Sequence, residues 1–446
     1  EVLSERVSAK MADGSLRVIA DKVTVAHGIT VHNDRIFMDE FRVGGRLLEL
    51  YTDGRAPRVI ASDLVTPNAL CMGPDGLLYY PQVATGEIWR VAVKGGQPER
   101  VIYGLALPTA VKFSPPGELY TTQGGSGEVT RVDLQSRARH VVARVRPGID
   151  NLTFAPDGRL FISHFVDGGV AEIEPSGNER SLVNPGLLGP FGLAAAADGT
   201  VYVADGMSLA VLDQHAQITA RPALLVNHDF PGFTRGLTSA PDGGCYLTTS
   251  AGTVAHYASS GDMRVAAENI GSISGIACAP TGDLLVCDSG AGRLLKISSS
   301  GDISTLAQGL KSPLAVVALE HGGCLVSEMT GGRVVHCDNG EVTPVVTGLV
   351  EPHGLAVLGE DLFILDRGNK SLVCYSRDSG ETQTIVSDLA VGAEPGLTPK
   401  VLPGIADLLP GPLLPFADLS TTADGRLLIG ADGAGAVYAI ARNAVG

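Results

Sequence analysis

Three stretches of the sequence share one pattern: residues 69–80 read ALCMGPDGLLYY, residues 151–162 read NLTFAPDGRLFI, and residues 236–247 read GLTSAPDGGCYL. Each stretch starts with a small or polar residue, continues as a mainly apolar run, turns at Asp-Gly and resumes as a second apolar run. Asp-Gly between two such runs is typical of a tight turn that joins antiparallel strands. The pattern therefore predicts a β-hairpin at each of these places.

The hairpin pattern recurs ten times along the chain, at intervals of about 40 residues. The copies begin at Gly28, Ala69, Ala110, Asn151, Gly192, Gly236, Gly275, Ala315, Gly354 and Asp418. In each full copy two further strands follow the hairpin, which gives the four strands of one β-propeller blade. The sequence therefore predicts an all-β fold over residues 1–446, with a single closed propeller of about ten four-stranded blades.

The two ends of the chain and one insertion complete the predicted architecture. The tenth repeat stops after its third strand, at residues 435–440, and residues 17–20 (RVIA) form an unpaired strand ahead of the first repeat. We expect this N-terminal strand to complete the last blade, because that pairing would close the ring and cover both sheet edges. Residues 389–416, rich in proline, interrupt the period. This insertion is either a lid-like loop over the channel or a loop that packs into it.

Composition and charge exclude several classes of function. Glycine and proline account for 57 and 26 of the 446 residues, with 44% apolar and 18% charged residues, which excludes a disordered chain. The net charge of −15 argues against nucleic acid as a partner, and no apolar run is long enough to span a membrane. Seven cysteines without a C-x-x-C pair indicate free buried thiols and a cytoplasmic location. The oligomeric state stays open.

Polar side chains are expected to converge where the inner strands begin, because these strands crowd around the axis of a propeller. Eight of the ten repeats start with Gly or Ala, and the exceptions are Asn151 and Asp418. A polar side chain at a position that otherwise holds a small residue indicates function. Both residues are therefore predicted metal ligands, with a capped turn as the alternative. The position before each repeat start adds His27, Asn68, Asp150, Arg235 and His353.

The ends of the second strands form another column of polar residues. An acid before a glycine-containing turn usually accepts backbone N–H groups, and this structural role is expected for Asp288, Glu328 and Asp366. His164 departs from the acid pattern and stays a catalytic candidate. These residues are expected to form two clusters at the end of the channel. The first contains His27, Glu40, His353 and Asp418. The second contains Asp150, Asn151, His164 and Asp205, with Asn68 and Arg235 on neighbouring repeats. The candidate catalytic residues are His27, Glu40, Asp150, His164 and His353, and the candidate substrate-binding residues are Asn68, Asp205 and Arg235.

Residues 67–81, 150–164 and 275–297 resemble the SMP-30/gluconolactonase group and the related NHL-repeat propellers, and this similarity extends over essentially the whole chain. The resemblance implies a divalent cation, usually calcium, in the central channel. Asn151 matches the group's inner-strand Asn, with Asn68 as a second match, and Asp150 or Asp418 matches its inner-strand Asp. The group's first-blade Glu has no counterpart, because His27 stands there. Mg²⁺ or Zn²⁺ would also suit oxygen and imidazole ligands.

The segment EPHGLAV around His353 is similar to streptogramin (virginiamycin B) lyases, which use His and Glu with Mg²⁺ to open a cyclic ester by elimination. Three functions on a small-molecule substrate remain. The favoured one is a metal-dependent hydrolase of a lactone or similar cyclic ester, with Asn151 or Asp418 holding the cation and His164 or a carboxylate activating water. The others are a lyase or isomerase of a secondary metabolite with His353 or His27 as its base, and a non-catalytic binding propeller.

Overall fold

The computed structural model describes residues 5–227, 230–393, 411 and 416–441, and within these ranges the chain forms strands and turns without a helix. No helix that could cross a membrane is therefore found in the described part of the chain. The residues divide into two compact units, the first holding residues 5–186 with 226 and 227, and the second the remainder. Each unit is built from antiparallel sheets whose strands follow one another in sequence.

The first unit contains an N-terminal hairpin and four sheets, numbered 1 to 4 in chain order. The hairpin pairs β1 (Arg6–Lys10) with β2 (Leu16–Asp21). Sheet 1 contains β3 (Ala26–His32), β4 (Arg35–Glu40), β5 (Val43–Leu50) and β6 (Arg58–Val65). Sheet 2 contains β7 (Cys71–Met72), β8 (Leu77–Gln82), β9 (Glu87–Ala92) and β10 (Glu99–Ile102). Sheet 3 contains β11 (Pro108–Phe113), β12 (Leu119–Gln123), β13 (Glu128–Val132) and β14 (Arg139–Arg144), and sheet 4 contains β15 (Ile149–Phe154), β16 (Leu160–His164), β17 (Val170–Ile173) and β18 (Glu179–Val183).

The second unit contains six sheets, numbered 5 to 10. Sheet 5 contains β19 (Leu193–Ala195), β20 (Val201–Ala204), β21 (Ser208–Leu212) and β22 (Ile218–Leu224). Sheet 6 contains β23 (Thr234–Ser239), β24 (Cys245–Thr249), β25 (Val254–Tyr257) and β26 (Met263–Ala267), and sheet 7 contains β27 (Ile273–Cys278), β28 (Leu284–Asp288), β29 (Arg293–Ile297) and β30 (Ile303–Gln308). Sheet 8 contains β31 (Pro313–Ala318), β32 (Cys324–Glu328), β33 (Arg333–Asp338) and β34 (Glu341–Thr347). Sheet 9 contains β35 (Pro352–Leu358), β36 (Asp361–Asp366), β37 (Ser371–Ser376) and β38 (Thr382–Val386), and sheet 10 contains β39 (Leu419–Thr421), β40 (Leu427–Ala431) and β41 (Ala436–Ile440).

The Asp-Gly turns are stabilised by contacts between residues that are close in sequence. In sheet 2 the side chain of Asp75 accepts the backbone N–H of Leu77 at 3.1 Å. Gly76 follows with a φ of 74°, a conformation that residues with a Cβ adopt only at a cost. The predicted hairpins are thus confirmed, and with them the all-β fold built from four-stranded sheets consistent with a β-propeller.

The first strands of seven sheets of the described chain, all except sheets 2, 5 and 10, carry a β-bulge near their N-terminal end. In β15, Ile149 pairs with His164 and Leu152 pairs with Ile162, so that two residues, Asp150 and Asn151, lie opposite one. In these seven sheets the repeat start and the residue before it therefore lie at or beside the bulge, which re-aims side chains.

Neighbouring first strands approach so closely that a side chain has no room. A Cβ on Gly236 would lie 2.5 Å from the carbonyl oxygen of Ser274, and one on Gly275 would lie 2.4 Å from that of Leu314. Distances below 3.0 Å would force the backbones apart. The crowding predicted for the inner strands is confirmed, and it explains why most repeats start with Gly or Ala.

The expected completion of the last blade by the N-terminal strand is wrong. Strand β2 pairs with β1 instead, because Asp13 and Gly14 form a tight turn between them in which Asp13 accepts the N–H of Ser15 at 2.9 Å. Sheet 10 keeps three strands in the part of the chain that the structure describes. A single ring of ten blades is not confirmed, because the chain divides into two units and β19 contacts β39 within the second. The lid predicted at 389–416 lies mostly outside the described residues.

Candidate functional site

The acids at the ends of the second strands accept backbone N–H groups of nearby loops. Asp288 accepts the N–H of Ala291 at 3.1 Å, in the glycine-containing turn that follows it. Glu328 accepts the N–H of Lys311 at 2.7 Å and Asp366 accepts that of Glu351 at 2.8 Å, both in the loops that precede their sheets. All three carboxylates are structural acceptors, as predicted, but only Asp288 serves the turn that the sequence indicated.

Glu40, a predicted catalytic residue, is engaged in the same way. Its carboxylate is fully buried, accepts the N–H of Thr24 at 3.1 Å and forms a two-armed ion pair with Arg46 at 2.6 and 2.7 Å. Burial alone would raise the pKa of Glu40, but Arg46 and Arg42 outweigh this effect and hold it below the ordinary value. The sequence did not anticipate that Glu40 is an acceptor for its own loop, like the acids of the later sheets.

Asp205, predicted to bind substrate, also belongs to this structural column. It accepts the N–H groups of Leu188 and Gly189, each at 2.8 Å, and pairs with Arg221 at 2.9 Å. Burial raises the pKa of Asp205, and these hydrogen bonds and the arginine oppose that rise. Since both oxygens are engaged and the residue is buried, the geometry favours a structural role.

His164 occupies the acid position of sheet 4 but is closed off from solvent, with 3% of the residue exposed. Neither ring nitrogen has a hydrogen-bond partner among the described residues, and Glu179 lies 3.7 Å from Nε2. Burial lowers the pKa of His164, and the nearby Arg146 lowers it further. The ring is therefore neutral at physiological pH, and a substrate cannot reach it without a rearrangement.

His353 is held still more tightly, with 1% of the residue exposed. Its Nδ1 accepts the backbone N–H of Ala417 at 3.3 Å, so that a neutral ring carries its proton on Nε2. Burial, assisted by Arg367, lowers the pKa of His353 to about 3. A buried imidazole whose free nitrogen already holds a proton is a hydrogen-bond donor and a poor general base.

The two predicted metal ligands accept backbone N–H groups of the residues that follow them. The side-chain oxygen of Asn151 accepts the N–H of Leu152 at 3.0 Å. Asp418 accepts the N–H of Leu419 at 3.0 Å and that of Leu193 at 3.4 Å, while burial raises its pKa to about 8. These oxygens point at backbone donors, Asn151 and Asp418 lie in different units, and no group of three His, Cys, Asp or Glu in the described ranges is arranged around a common metal position. The donor sets do not fit a resident divalent cation.

Arg235, the third predicted substrate-binding residue, lies in the second unit. It is buried, and its guanidinium donates to the carbonyl oxygen of Ile273 at 2.8 Å. Burial lowers the pKa of Arg235 to about 10, so that it stays charged at neutral pH.

The first unit brings together three residues from repeat starts: His27 of sheet 1, Asn68 of sheet 2 and Asp150 of sheet 4. We call these three residues the inner site. Burial lowers the pKa of His27, and Asp150 and the side chain of Asn68 oppose this lowering. Conversely, burial raises the pKa of Asp150 and His27 opposes the rise. The histidine and the carboxylate are therefore close enough for each to feel the charge of the other.

The His27 ring is solvent-exposed, although desolvation by the surrounding protein is the largest influence on its pKa. A ring that is exposed to solvent and yet surrounded by protein atoms lies in a concave part of the surface. Phe41 lies beside it, with ring centroids 5.0 Å apart. Asn68 is buried, and its Oδ1 has no hydrogen-bond partner in the described part of the chain. The inner site thus combines an accessible imidazole, a half-buried carboxylate and an unpaired acceptor.

The sequence reasoning missed Asp39, which lies on β4 directly behind His27. Its Oδ1 accepts the N–H of Gly28 at 3.0 Å, whereas Oδ2 has no partner among the described residues. Complete burial raises the pKa of Asp39 to about 7. In sheets 4 and 8 this position holds Ser163 and Ser327, whose hydroxyls accept the corresponding N–H. A carboxylate where other repeats carry a hydroxyl was the signal available in the sequence.

Both predicted clusters divide between the two units. His27 and Glu40 lie in the first unit, whereas His353 and Asp418 lie in the second. Of the other cluster, the first unit holds Asn68, Asp150, Asn151 and His164, and the second holds Asp205 and Arg235. Within the first unit, the grouping that the structure supports is His27 with Asn68 and Asp150.

Comparison with known proteins defines the class of the chain. The sequence model of the virginiamycin B lyase family matches residues 98–366, and no curated protein sequence matches the chain significantly. Virginiamycin B lyase from Staphylococcus aureus is 15% identical, with 59% of this chain and 91% of that chain covered and a TM-score of 0.29. A streptogramin B lyase structure is 13% identical, with coverages of 67% and 89% and a TM-score of 0.29. A chain of a nidogen/laminin complex is 16% identical, with coverages of 54% and 97% and a TM-score of 0.31.

The repeated four-stranded antiparallel sheets are consistent with a β-propeller. Since the family match spans more than half of its residues, the chain belongs to the virginiamycin B lyase family. The similarity to streptogramin lyases noted around His353 is thereby confirmed. Membership of the SMP-30/gluconolactonase group gains no support, nor do the calcium ion and the lactonase activity inferred from it.

Proposed function

We propose that the chain is a lyase that opens a cyclic ester by elimination, with His27 as the base. The family assignment supports a lyase, and one observation selects the residue. Three histidines were candidate bases, and of these only His27 is exposed to solvent, whereas His164 and His353 are almost completely buried. A general base must reach the proton that it removes, and His27 meets this condition.

The other residues of the inner site suit the same chemistry. The lowered pKa of His27 keeps the ring neutral near pH 7, ready to accept a proton. Asp150 would stabilise the imidazolium that forms when the proton is transferred. Asn68 is buried beside the ring, and its side chain opposes the lowering of the pKa of His27, so it would also support the imidazolium.

In the reaction, His27 takes a proton from the carbon next to the one that bears the ester oxygen. The C–O bond breaks, a C=C bond forms and the ester leaves as a carboxylate. No water is consumed. The hydrolase hypothesis depended on a cation held by Asn151 or Asp418, whose oxygens bind backbone N–H groups instead, so this route has lost its proposed ligands.

We infer further that the second unit is a ring of six sheets. Three observations support closure. Strand β19 contacts β39, and the backbone N–H of Leu193 donates a hydrogen bond to the Asp418 carboxyl group at 3.4 Å. A Cβ on Gly430 would lie 2.6 Å from the carbonyl oxygen of Pro190, so the two backbones are in close contact. Calorimetry of the full chain should resolve two unfolding transitions, and a single transition seen identically by every probe would contradict this division.

The activity is tested on the full chain with virginiamycin B and with a further streptogramin B antibiotic, the compounds named for two of the similar structures. Replacing His27 by Gln should lower kcat by at least about 100-fold, the usual contribution of a general base. His32 is an exposed histidine at the other end of the same strand, so His32→Gln is the matched control and should leave kcat unchanged. Equal activity of both variants and the wild type would refute the role of His27.

Acidification gives a second readout. Because a protonated imidazole cannot accept a proton, kcat/KM should fall as the pH drops through the pKa of His27, which lies below the ordinary value of histidine. Asp150→Asn removes the carboxylate that opposes this lowering, so the acid limb of the profile should move to still lower pH. An unchanged acid limb in Asp150→Asn would contradict the proposed pairing.

A further inference from the structure

A cleft of about 250 Å³ opens between sheets 7 and 8 of the second unit. Its rim carries Asp283 and Lys296, whose charged groups lie 3.7 Å apart, and its wall includes Leu285. Two cysteines, Cys324 and Cys337, line the same cleft. The volume exceeds that of one water molecule several-fold, so a small polar oxidant can enter.

The two cysteines are directly opposite each other on neighbouring strands. Cys324 of β32 and Cys337 of β33 are register partners, and the thiol of Cys324 donates to the carbonyl oxygen of Cys337 at 3.6 Å. Opposite residues of an antiparallel pair have Cα atoms about 4.5 or 5.5 Å apart and side chains on the same face. Both separations lie within the range of about 4.4–6.8 Å that a disulfide spans.

The direction of its pKa shift distinguishes Cys337 from the other six cysteines. All seven cysteines lie in the described part of the chain. The neighbouring Cys324 side chain lowers the pKa of Cys337, whereas the same interaction, together with burial, raises the pKa of Cys324. The pKa values of the remaining five are raised by burial. Since the thiolate is the reactive form, Cys337 is the most easily activated thiol of the chain.

We propose that Cys337 is a peroxide-reactive thiol and that Cys324 is its resolving partner. The Cys337 thiolate attacks hydrogen peroxide, the O–O bond breaks, and a sulfenic acid forms while the departing hydroxide becomes water. The sulfur of Cys324 then attacks the sulfenic sulfur, an S–S bond forms, and the second oxygen leaves as water with the proton of the Cys324 thiol. Two thiols are oxidised and one peroxide is reduced to two waters.

Exposure alone would give a different order of reaction. Cys278 and Cys374 are half-buried, whereas Cys324 and Cys337 are buried apart from the cleft that they line. Cys287 packs in the same hydrophobic core as Cys324 and Cys337 but does not line the cleft. A reagent that simply attacks accessible sulfur should therefore modify Cys278 and Cys374 first.

The test treats the reduced full chain with hydrogen peroxide, blocks residual thiols with N-ethylmaleimide and maps tryptic peptides. Cleavage after Arg333 separates the two cysteines, so the disulfide would join peptides 312–333 and 334–367. We expect this linked pair to form about tenfold faster than Cys278 or Cys374 is oxidised. Oxidation of Cys278 or Cys374 before the pair would overturn the proposal, and this comparison needs no variant.

Variants then separate the two roles. Cys324→Ser should leave a sulfenic acid on Cys337 that dimedone traps, without the linked peptides. Cys278→Ser is the control and should form the disulfide at the wild-type rate. A sulfenic acid trapped on Cys324 in Cys337→Ser, or an unmodified Cys337 in Cys324→Ser, would overturn the assignment of the two thiols.

Discussion

Asp418 offers a direct test of the packing at the start of sheet 10. Its carboxyl group is buried between the N–H groups of Leu193 and Leu419, and burial raises its pKa from 3.8 to about 8. Between those two pH values the folded state keeps a proton that the unfolded chain has released. The free energy of unfolding therefore falls as the pH rises from about 4 to 8, and the loss is complete above the folded pKa.

The magnitude follows from the size of the shift. One pKa unit corresponds to about 1.4 kcal/mol, so a shift of roughly four units sets an upper bound of about 6 kcal/mol on the stability lost at high pH. Asp418→Asn cannot ionise and should abolish this pH dependence. Asn151 shows that an amide fits this position, because its oxygen accepts the N–H of Leu152. Asp418→Asn loses only the 3.4 Å hydrogen bond from the N–H of Leu193, which costs about 1 kcal/mol.

Urea denaturation at pH 5, 7 and 9 measures the effect on the transition of the second unit. Near pH 5 the variant should be close to wild type, and at pH 9 it should be more stable by several kcal/mol. Asp424→Asn is the control, since Asp424 is exposed in the same sheet and its pKa is lowered mainly by Thr422. A variant that is less stable than wild type at every pH would refute the reasoning, because it would mean that Asp418 is ionised and held by its backbone donors.

Two further substitutions test the packing of the inner strands. Asp39→Asn should reduce the pH dependence of the free energy of unfolding of the first unit between about pH 4 and 7. The pKa of Asp39 is raised in the folded state, so the wild type loses stability over this range as Asp418 does in the second unit. An unchanged pH dependence in urea titrations would contradict this. Gly354→Ala should destabilise the second unit by about 3 kcal/mol, since its Cβ would lie 2.4 Å from the nitrogen of Leu419. Gly359→Ala, in open space with a φ of 64°, should cost only about 1 kcal/mol, and equal midpoints for both variants would show that the strands can separate.

The sheets could be predicted because their determinants are local. Asp75 and Gly76 form a tight turn within four residues, and the same turn recurs in most repeats. The same logic was overlooked at Asp13 and Gly14, whose turn pairs β1 with β2 and removes the strand expected to complete the last blade. A local hairpin forms before a distant strand edge can compete for it.

The sequence predicted one closed ring of ten blades, but it could not predict that sheets 5 and 10 contact each other, because this contact joins distant residues. Leu193 and Asp418 are 225 positions apart, and nothing near either residue in sequence specifies the other. The division into two units also decides which repeat starts meet. The sequence identified His27, Asn68 and Asp150 as candidates, but their grouping follows from the unit that holds all three. Burial, which rules against His164 and His353 as accessible bases, is a property of the fold alone.

The central claim is that the chain eliminates and does not hydrolyse. The most direct measurement is the mass of the product formed by the full chain from streptogramin B in oxygen-18-labelled water. Elimination through His27 predicts a ring-opened product of unchanged mass without labelled oxygen, and no such product from His27→Gln. A product heavier by one labelled water, or the absence of turnover by the wild type, would contradict the account.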